Sequence, residues 1–137
     1  MAVLDSSFLI DLERRTPEAM EALDRLVTEE ESLLVAPQAA IEYLSGIEDR
    51  ATALRVLEES FVMVALERDH VLEAARLARD AFGAGSFPGW ADAQIVAAAV
   101  LEATFVVTAD PKRFRALGVP VWDYRREAKP PASPLTP

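Results

Sequence analysis

Asp5, Glu42, Asp92 and Asp110 are the residues best suited to chemistry in this chain, and they come from four distant stretches of it. Asp5 ends the run Ala2-Val3-Leu4 and precedes Ser6-Ser7; Asp110 follows Phe105-Val106-Val107-Thr108-Ala109. Asp92 opens the most apolar stretch, residues 93–101, and Glu42 lies within Pro37-Gln38-Ala39-Ala40-Ile41-Glu42-Tyr43-Leu44. Carboxylates brought close together repel and raise one another's pKa. A hard divalent cation relieves that repulsion, and Mg2+ or Mn2+ binds through a few carboxylates together with waters and phosphates. Such an ion activates water and stabilises the charge that develops in phosphodiester hydrolysis. Each acid alone has a plainer reading: Asp5 and Asp110 as helix caps, Glu42 as a surface acid, Asp92 as a complement to a helix dipole. An acid in so apolar a helix as that of Asp92 is at least partly enclosed, however, and an enclosed acid needs a partner.

The elements around these acids place them at one rim. Short apolar runs, Ala2-Val3-Leu4, Leu33-Leu34-Val35, Phe61-Val62-Met63-Val64 and Phe105-Val106-Val107, read as buried strands. Val119-Pro120-Val121-Trp122 reads as a last, edge strand because proline cannot donate to a ladder. Helical segments separate them: residues 6–15, 51–60, 69–82, the Asp92 helix, and 111–117. Thr16-Pro17-Glu18 marks a helix start, with Met20, Leu23, Val27 and Leu26 as its buried stripe. Pro37 opens another helix that holds Ile41, Tyr43, Leu44 and Ile47. Val71, Leu72, Ala75, Leu77 and Ala78 give the helix of residues 69–82 its apolar side, and residues 83–89 form the clearest loop. Apolar strands alternating with helices indicate an α/β fold with a mainly parallel sheet of four to five strands, covered on both faces. Ligands in such folds bind beyond the carboxyl ends of the strands, where all four acids fall.

Composition sets the bounds. At 137 residues, 51% hydrophobic, the chain suits a single domain, here residues 1–128, followed by a proline-rich tail at 129–137 expected to be unstructured. The absence of cysteine excludes disulfides, thiolate metal sites and cysteine nucleophiles. The first residues lack a basic n-region and no apolar run approaches the ~20 residues of a membrane span, so a soluble protein without a signal peptide is expected. The net charge of −9 works against phosphate binding. Its distribution is uneven: residues 1–109 carry twenty acids and eight bases, whereas residues 110–129 carry six bases against three acids. Lys112, Arg113 and Arg115, just beyond Asp110, form a local basic surface able to steer a polyanion. His70, the one histidine, reads as a surface residue rather than a base.

These residues carry a resemblance. Val3-Leu4-Asp5-Ser6-Ser7-Phe8-Leu9-Ile10-Asp11-Leu12 resembles the opening of PIN-domain proteins, specifically the VapC-type toxin ribonucleases. Asp92-Ala93-Gln94-Ile95-Val96-Ala97-Ala98-Ala99 is similar to that family's third acidic motif, although Gln94 stands where an apolar residue is common. Val107-Thr108-Ala109-Asp110-Pro111-Lys112-Arg113-Phe114 resembles its closing motif, and Glu42 fits the family's glutamate by position. The resemblance runs in order from residue 3 to about 122 and implies a three-layer PIN-like fold with Mg2+- or Mn2+-dependent endoribonuclease activity. It implies metal ligands at Asp5, Glu42, Asp92 and Asp110, with Ser6 and Thr108 as hydroxyls that orient ligands or substrate. It further implies an RNA substrate, a cognate antitoxin, a homodimer and a cytoplasmic location.

Two other readings compete. A phosphoacceptor receiver-like domain also places acids, a threonine and a base at a sheet rim. It expects adjacent acids after the first strand and an acceptor Asp after the third, where this chain has Ser6-Ser7 and Ala65-Leu66-Glu67. A catalytically silent PIN-like interaction module would use Phe8, Leu9, Met20, Leu23 and Leu26 as a groove or dimer seam if they were exposed, and as core if not.

Overall fold

The computed structural model describes residues 1–30 and 32–132. Its elements are β1 (Ala2–Leu4), α1 (Ser6–Glu13), α2 (Pro17–Glu29), β2 (Leu33–Val35), α3 (Pro37–Leu44), α4 (Arg50–Ser60), β3 (Val62–Met63), α5 (Arg68–Gly83), α6 (Trp90–Leu101), β4 (Val106–Thr108), α7 (Pro111–Arg115) and β5 (Val121–Asp123). The strands form one sheet in the order β3-β2-β1-β4-β5, and every neighbouring pair is parallel. Val3 lies opposite Leu34 on one side and Val106 on the other, and Leu4 likewise opposite Val35 and Val107. The expected α/β architecture is therefore present, with five strands flanked by seven helices among the described residues.

Strands β1 and β2 are apolar at every position because both faces of the sheet are covered there. Strands β4 and β5 instead end on the buried polar residues Thr108 and Asp123, and β3, expected to be buried, leaves Val62 exposed at the sheet edge. Val3, Leu4, Val35, Val106 and Val107 have no solvent exposure. The most apolar helix, α6, packs on β1 and β4 and against α5, with Ile95, Val96 and Ala97 fully enclosed. Burial of a side chain such as Ile95 or Val96 stabilises the fold by roughly 1.5–3 kcal/mol relative to exposure. Chain order runs outward from β1 through β2 to β3 and then crosses back to β4 on the other side of β1. The reversal point at β1 and β4 is where open α/β sheets leave a crevice.

Helix faces depart from the expected stripes. In α2 the buried positions are Ala19, Ala22 and Leu26, while Met20 and Val27 are exposed. The two alanines let the helix approach its neighbours closely, which the larger side chains would prevent. Ile41 on α3 and Val71 and Leu72 on α5 are also exposed, with Ala39, Ala40 and Tyr43, or the expected Leu77 and Ala78 together with Ala81, turned inward. Phe8, Leu9 and Leu26 are core, so they form neither a groove nor a seam. Strand β3 is shorter than expected, and β4 is displaced by one residue, which places Thr108 inside the strand. Strand β5 is an edge, as the proline suggests; it begins one residue after Pro120, whose carbonyl accepts the Val106 N–H.

An ionic clamp, buried at Asp11 and half-exposed at Arg125, ties α1 to the end of the domain. Asp11 accepts from Arg125 Nε at 2.9 Å and Nη2 at 2.7 Å, and from the Tyr124 hydroxyl. Tyr124 also packs edge-on against Phe8, with ring centroids 4.9 Å apart. The opening and closing segments of the domain are thereby locked together. Residues 129–132 of the expected tail have no regular secondary structure, and residues 133–137 lie outside the described residues. No helix among the described residues is long and apolar enough to cross a membrane.

Candidate functional site

Asp5 occupies the N-cap position of α1, and Asp110 that of α7, yet neither side chain caps its helix. The capping role that sequence allows for both is therefore not the one they play. Asp5 is fully enclosed. Its Oδ2 accepts hydrogen bonds from Ser7 Oγ and Thr108 Oγ1, each at 2.8 Å, while its Oδ1 has only Ser6 Oγ at 3.4 Å. One oxygen is thus fixed by two hydroxyls, and the other is left largely unsatisfied. An enclosed carboxylate in that condition is costly unless another donor or a cation meets it.

Thr108, on the strand beside β1, also accepts the Asp110 N–H at 3.0 Å. It links the first strand to the β4–α7 loop. Ser7 strengthens that link by accepting the Ala109 N–H at 2.9 Å and lying 3.1 Å from Thr108 Oγ1. Sequence reasoning singled out Ser6 and Thr108 but not Ser7. Its position two residues after Asp5, at the first turn of α1, was the available signal. Ser6 instead donates to Glu42 Oε2 at 2.7 Å, which draws the otherwise exposed Glu42 toward β1.

Asp92 sits in the first turn of α6 and is almost fully buried. Burial pushes its carboxyl up from the ordinary 3.8 to about 6, with Arg113 opposing the rise and Asp5, Glu42 and Asp110 adding to it. The four acids therefore share one electrostatic neighbourhood. Arg113 reaches back from α7 to place Nη1 3.5 Å from Asp92 Oδ1 and Nε 3.0 Å from Asp110 Oδ2. Arg115 is turned away and pairs with Glu127 at 3.0 Å. Lys112 is exposed. The basic residues expected to act together are thus divided among three different surroundings.

Among the described residues, no three Asp, Glu or His side chains close into a ready-made coordination shell. The donor set nonetheless fits a hard cation that keeps most of its waters. It is oxygen only, one carboxylate has an oxygen without a strong partner, and a second is pushed toward protonation by burial and by its acidic neighbours. Mg2+ is commonly held by one or two carboxylates, with waters completing its octahedron.

Concavities lie elsewhere. One of about 710 Å3 runs between α2 and the segment around Trp122 to Ala128, and one of about 240 Å3 lies between α5 and α6; neither is lined by any of the four acids. Chemistry and topology, rather than volume, identify the site. His70 is half-buried on α5, and its two ring nitrogens have no hydrogen-bond partner among the described residues.

Comparison with known proteins places the fold. Curated protein sequences gave no match. The sequence profile of the PIN domain matches residues 2–119. Among solved structures, the fold is similar to FitAcB from Neisseria gonorrhoeae, with 20% identity, a TM-score of 0.75, and 93% of this chain and 100% of that chain covered. It is similar to VapBC-1 from nontypeable Haemophilus influenzae, with 18% identity, a TM-score of 0.78 and coverage of 91% and 98%. A toxin-antitoxin complex from Klebsiella pneumoniae aligns at 22% identity and a TM-score of 0.73, covering 90% and 98%. The profile match spans Asp5, Glu42, Asp92, Thr108 and Asp110, and the chain belongs to the PIN domain family.

Proposed function

We propose that this protein is a Mg2+- or Mn2+-dependent endoribonuclease and the toxin of a toxin–antitoxin pair, acting in the cytoplasm. The observation that carries the reading is the state of Asp5. It is enclosed, it caps nothing, two hydroxyls hold one of its oxygens, and the other faces a neighbourhood shared with Asp92, Glu42 and Asp110.

Asp5 and Asp92 would hold the cation directly, with Glu42 and Asp110 completing the site through water. When bound, the cation lowers the pKa of an attacking water and offsets the charge that builds on the scissile phosphate. The protein's own groups do the positioning. Ser7 and Thr108 fix the plane of the Asp5 carboxylate, and Ser6 holds Glu42. Arg113, about two-fifths exposed, reduces repulsion between Asp92 and Asp110 and presents a planar guanidinium to a phosphate oxygen. Lys112 adds a second exposed cation next to it. Arg115 contributes less, because Glu127 neutralises it.

Solved structures of similar fold include toxin-antitoxin complexes, which supports a protein antitoxin as partner. A homodimer belongs to the same reading; exposed Val56 on α4 and Val62 on the edge strand β3 offer it apolar surface. The silent interaction module is less favoured, since Phe8, Leu9 and Leu26 of the groove it needs are core and only Met20 is exposed. The deciding experiment incubates purified protein with RNA and Mg2+ or Mn2+. Cleavage abolished by EDTA and by Asp5→Asn supports the proposal, and undiminished cleavage by Asp5→Asn and Asp92→Asn refutes it.

A further inference from the structure

Four arginines, Arg113, Arg115, Arg125 and Arg126, lie in the closing segment of the domain, and three of them are locked by hydrogen bonds. Arg115 Nη2 donates to Glu127 Oε1 at 3.0 Å, Arg125 Nη2 to Asp11 Oδ2 at 2.7 Å, and Arg126 Nη1 to Asp123 Oδ2 at 3.0 Å. Arg113 is held differently. Its Nε lies 3.0 Å from Asp110 Oδ2 and its Nη1 3.5 Å from Asp92 Oδ1, yet Nε is closed off from solvent and finds no hydrogen-bond acceptor among the described residues. A guanidinium that serves a structural role meets carboxylates through directed, often bidentate hydrogen bonds. Here the charges are matched and the hydrogen-bond geometry is not.

The place it occupies is one that a metal would need. Only 4% of the Asp92 side chain reaches solvent. Its Oδ2 is turned toward Gly89, where an added Cβ would stand 3.7 Å away, and its Oδ1 faces Arg113. Asp92 is therefore approached from the α7 side, past the guanidinium. A divalent cation and a guanidinium gathered on the same pair of carboxylates repel each other, and an ion that keeps its waters needs more room still. Leaving is easy for Arg113. Its side chain is 40% exposed and that of Asp110 53%, so the outer contact is a surface ion pair, a class that contributes little.

We infer that Arg113 is a stand-in cation: it neutralises Asp92 and Asp110 in the metal-free protein and, on metal loading, gives up that place and swings out to meet a substrate phosphate. The inference rests on the metal-dependent ribonuclease reading and adds an order of events to it. Until metal is bound, the guanidinium is engaged by the protein's own acids. Lys112 is then the exposed cation left beside it, on a chain of net charge −9 that otherwise repels a polyanion. Affinity for RNA is thereby coupled to metal occupancy through one side chain.

Arginine side-chain NMR tests the exchange without catalysis. In the 15N-labelled full chain the Arg113 Nε–H signal is identified by its loss in Arg113→Gln, and Mg2+ is titrated with no RNA present. Arg113→Lys, which also lacks the signal and keeps a charge, serves for the assignment if the glutamine variant does not fold. In the metal-free protein this proton is sheltered and exchanges slowly with water. With Mg2+ it should move to the position of a free arginine and exchange rapidly, while the Arg125 signal, locked on Asp11, stays in place. Calorimetry gives the energetic side: Arg113→Gln should bind Mg2+ about two- to fivefold more tightly, because a weak ion pair no longer has to be broken. Arg115→Gln removes a charge already neutralised by Glu127 and should leave that affinity as it is. Saturable Mg2+ binding with an unmoved Arg113 signal, or weaker binding by Arg113→Gln, overturns the exchange and leaves the metal reading standing. Equal tightening in Arg115→Gln assigns the gain to net charge and also overturns the exchange. No saturable binding by either the wild-type protein or Arg113→Gln overturns the metal reading and the exchange together.

Discussion

Replacing Asp92 by asparagine should make the metal-free protein more stable at neutral pH. Asp92 is almost fully buried, and burial with three acidic neighbours raises its carboxyl from 3.8 to about 6. The folded state therefore binds this proton more tightly than the unfolded chain. Between pH of about 4 and 6 the native state loses stability as pH rises, and above that window the whole cost is present. At 1.36 kcal/mol per pKa unit the cost is about 3 kcal/mol at most. Asparagine keeps the shape and removes the charge. It also loses attraction to Arg113, a loss limited because the distance is 3.5 Å and Arg113 keeps Asp110 at 3.0 Å. A net gain of about 1–3 kcal/mol is left, or roughly 3–10 °C in melting temperature for a domain of this size. Urea and thermal melts in EDTA at pH 7.5 and pH 4 provide the assay. The gain should be present at pH 7.5 and nearly absent at pH 4. A variant equally destabilised at both pH values would refute the reasoning, because it would mean that Asp92 is held by contacts rather than strained by charge.

Three further outcomes follow from particular contacts. Ser7→Ala removes the hydroxyl shared by Asp5 and the Ala109 N–H and should cost about 1–2 kcal/mol in urea melts; Ser7→Thr should recover part of it. Asp11→Ala leaves Arg125 and Tyr124 without their common acceptor and should destabilise by about 2–4 kcal/mol, with little change in divalent-cation affinity measured by calorimetry. Arg113→Gln should strengthen the mutual repulsion of Asp92 and Asp110, moving the pH at which wild-type metal-free stability falls upward, while lowering RNA cleavage about tenfold or more through loss of a charge-assisted phosphate contact.

The parts of the fold that could be read from sequence were those governed by short-range physics. The apolar triplets of β1 and β2 became buried strands because a parallel sheet covered on both faces favours apolar side chains there. Thr16-Pro17 and Pro37 marked true helix starts, since proline is favoured in the first turn. What was only partly right was the choice of helix face. Met20, Val27, Val71 and Leu72 were expected inside from helical spacing and are exposed, whereas Leu26, Leu77 and Ala78 of the same stripes are buried together with Ala19, Ala22 and Ala81. No local pattern reports how near a neighbouring element will come.

The site was legible in its acids and less so in what surrounds them. Asp5, Asp92 and Asp110 stood out because strand ends and an apolar helix are odd places for charge. Ser7 did not stand out, because its value lies in reaching Thr108 and Ala109, about a hundred residues away. Arg113 was read as part of a basic surface, whereas it turns back into the acids and parts company with Arg115. These are long-range pairings, and sequence spacing carries no record of them.

The central claim is that the acids at this rim hold a divalent cation. Titration calorimetry with Mn2+ on the wild-type protein and on Asp5→Asn measures it without RNA or catalysis. Saturable binding that weakens at least about tenfold in Asp5→Asn is the predicted result. No binding at millimolar Mn2+, or binding that Asp5→Asn leaves unchanged, would contradict the account.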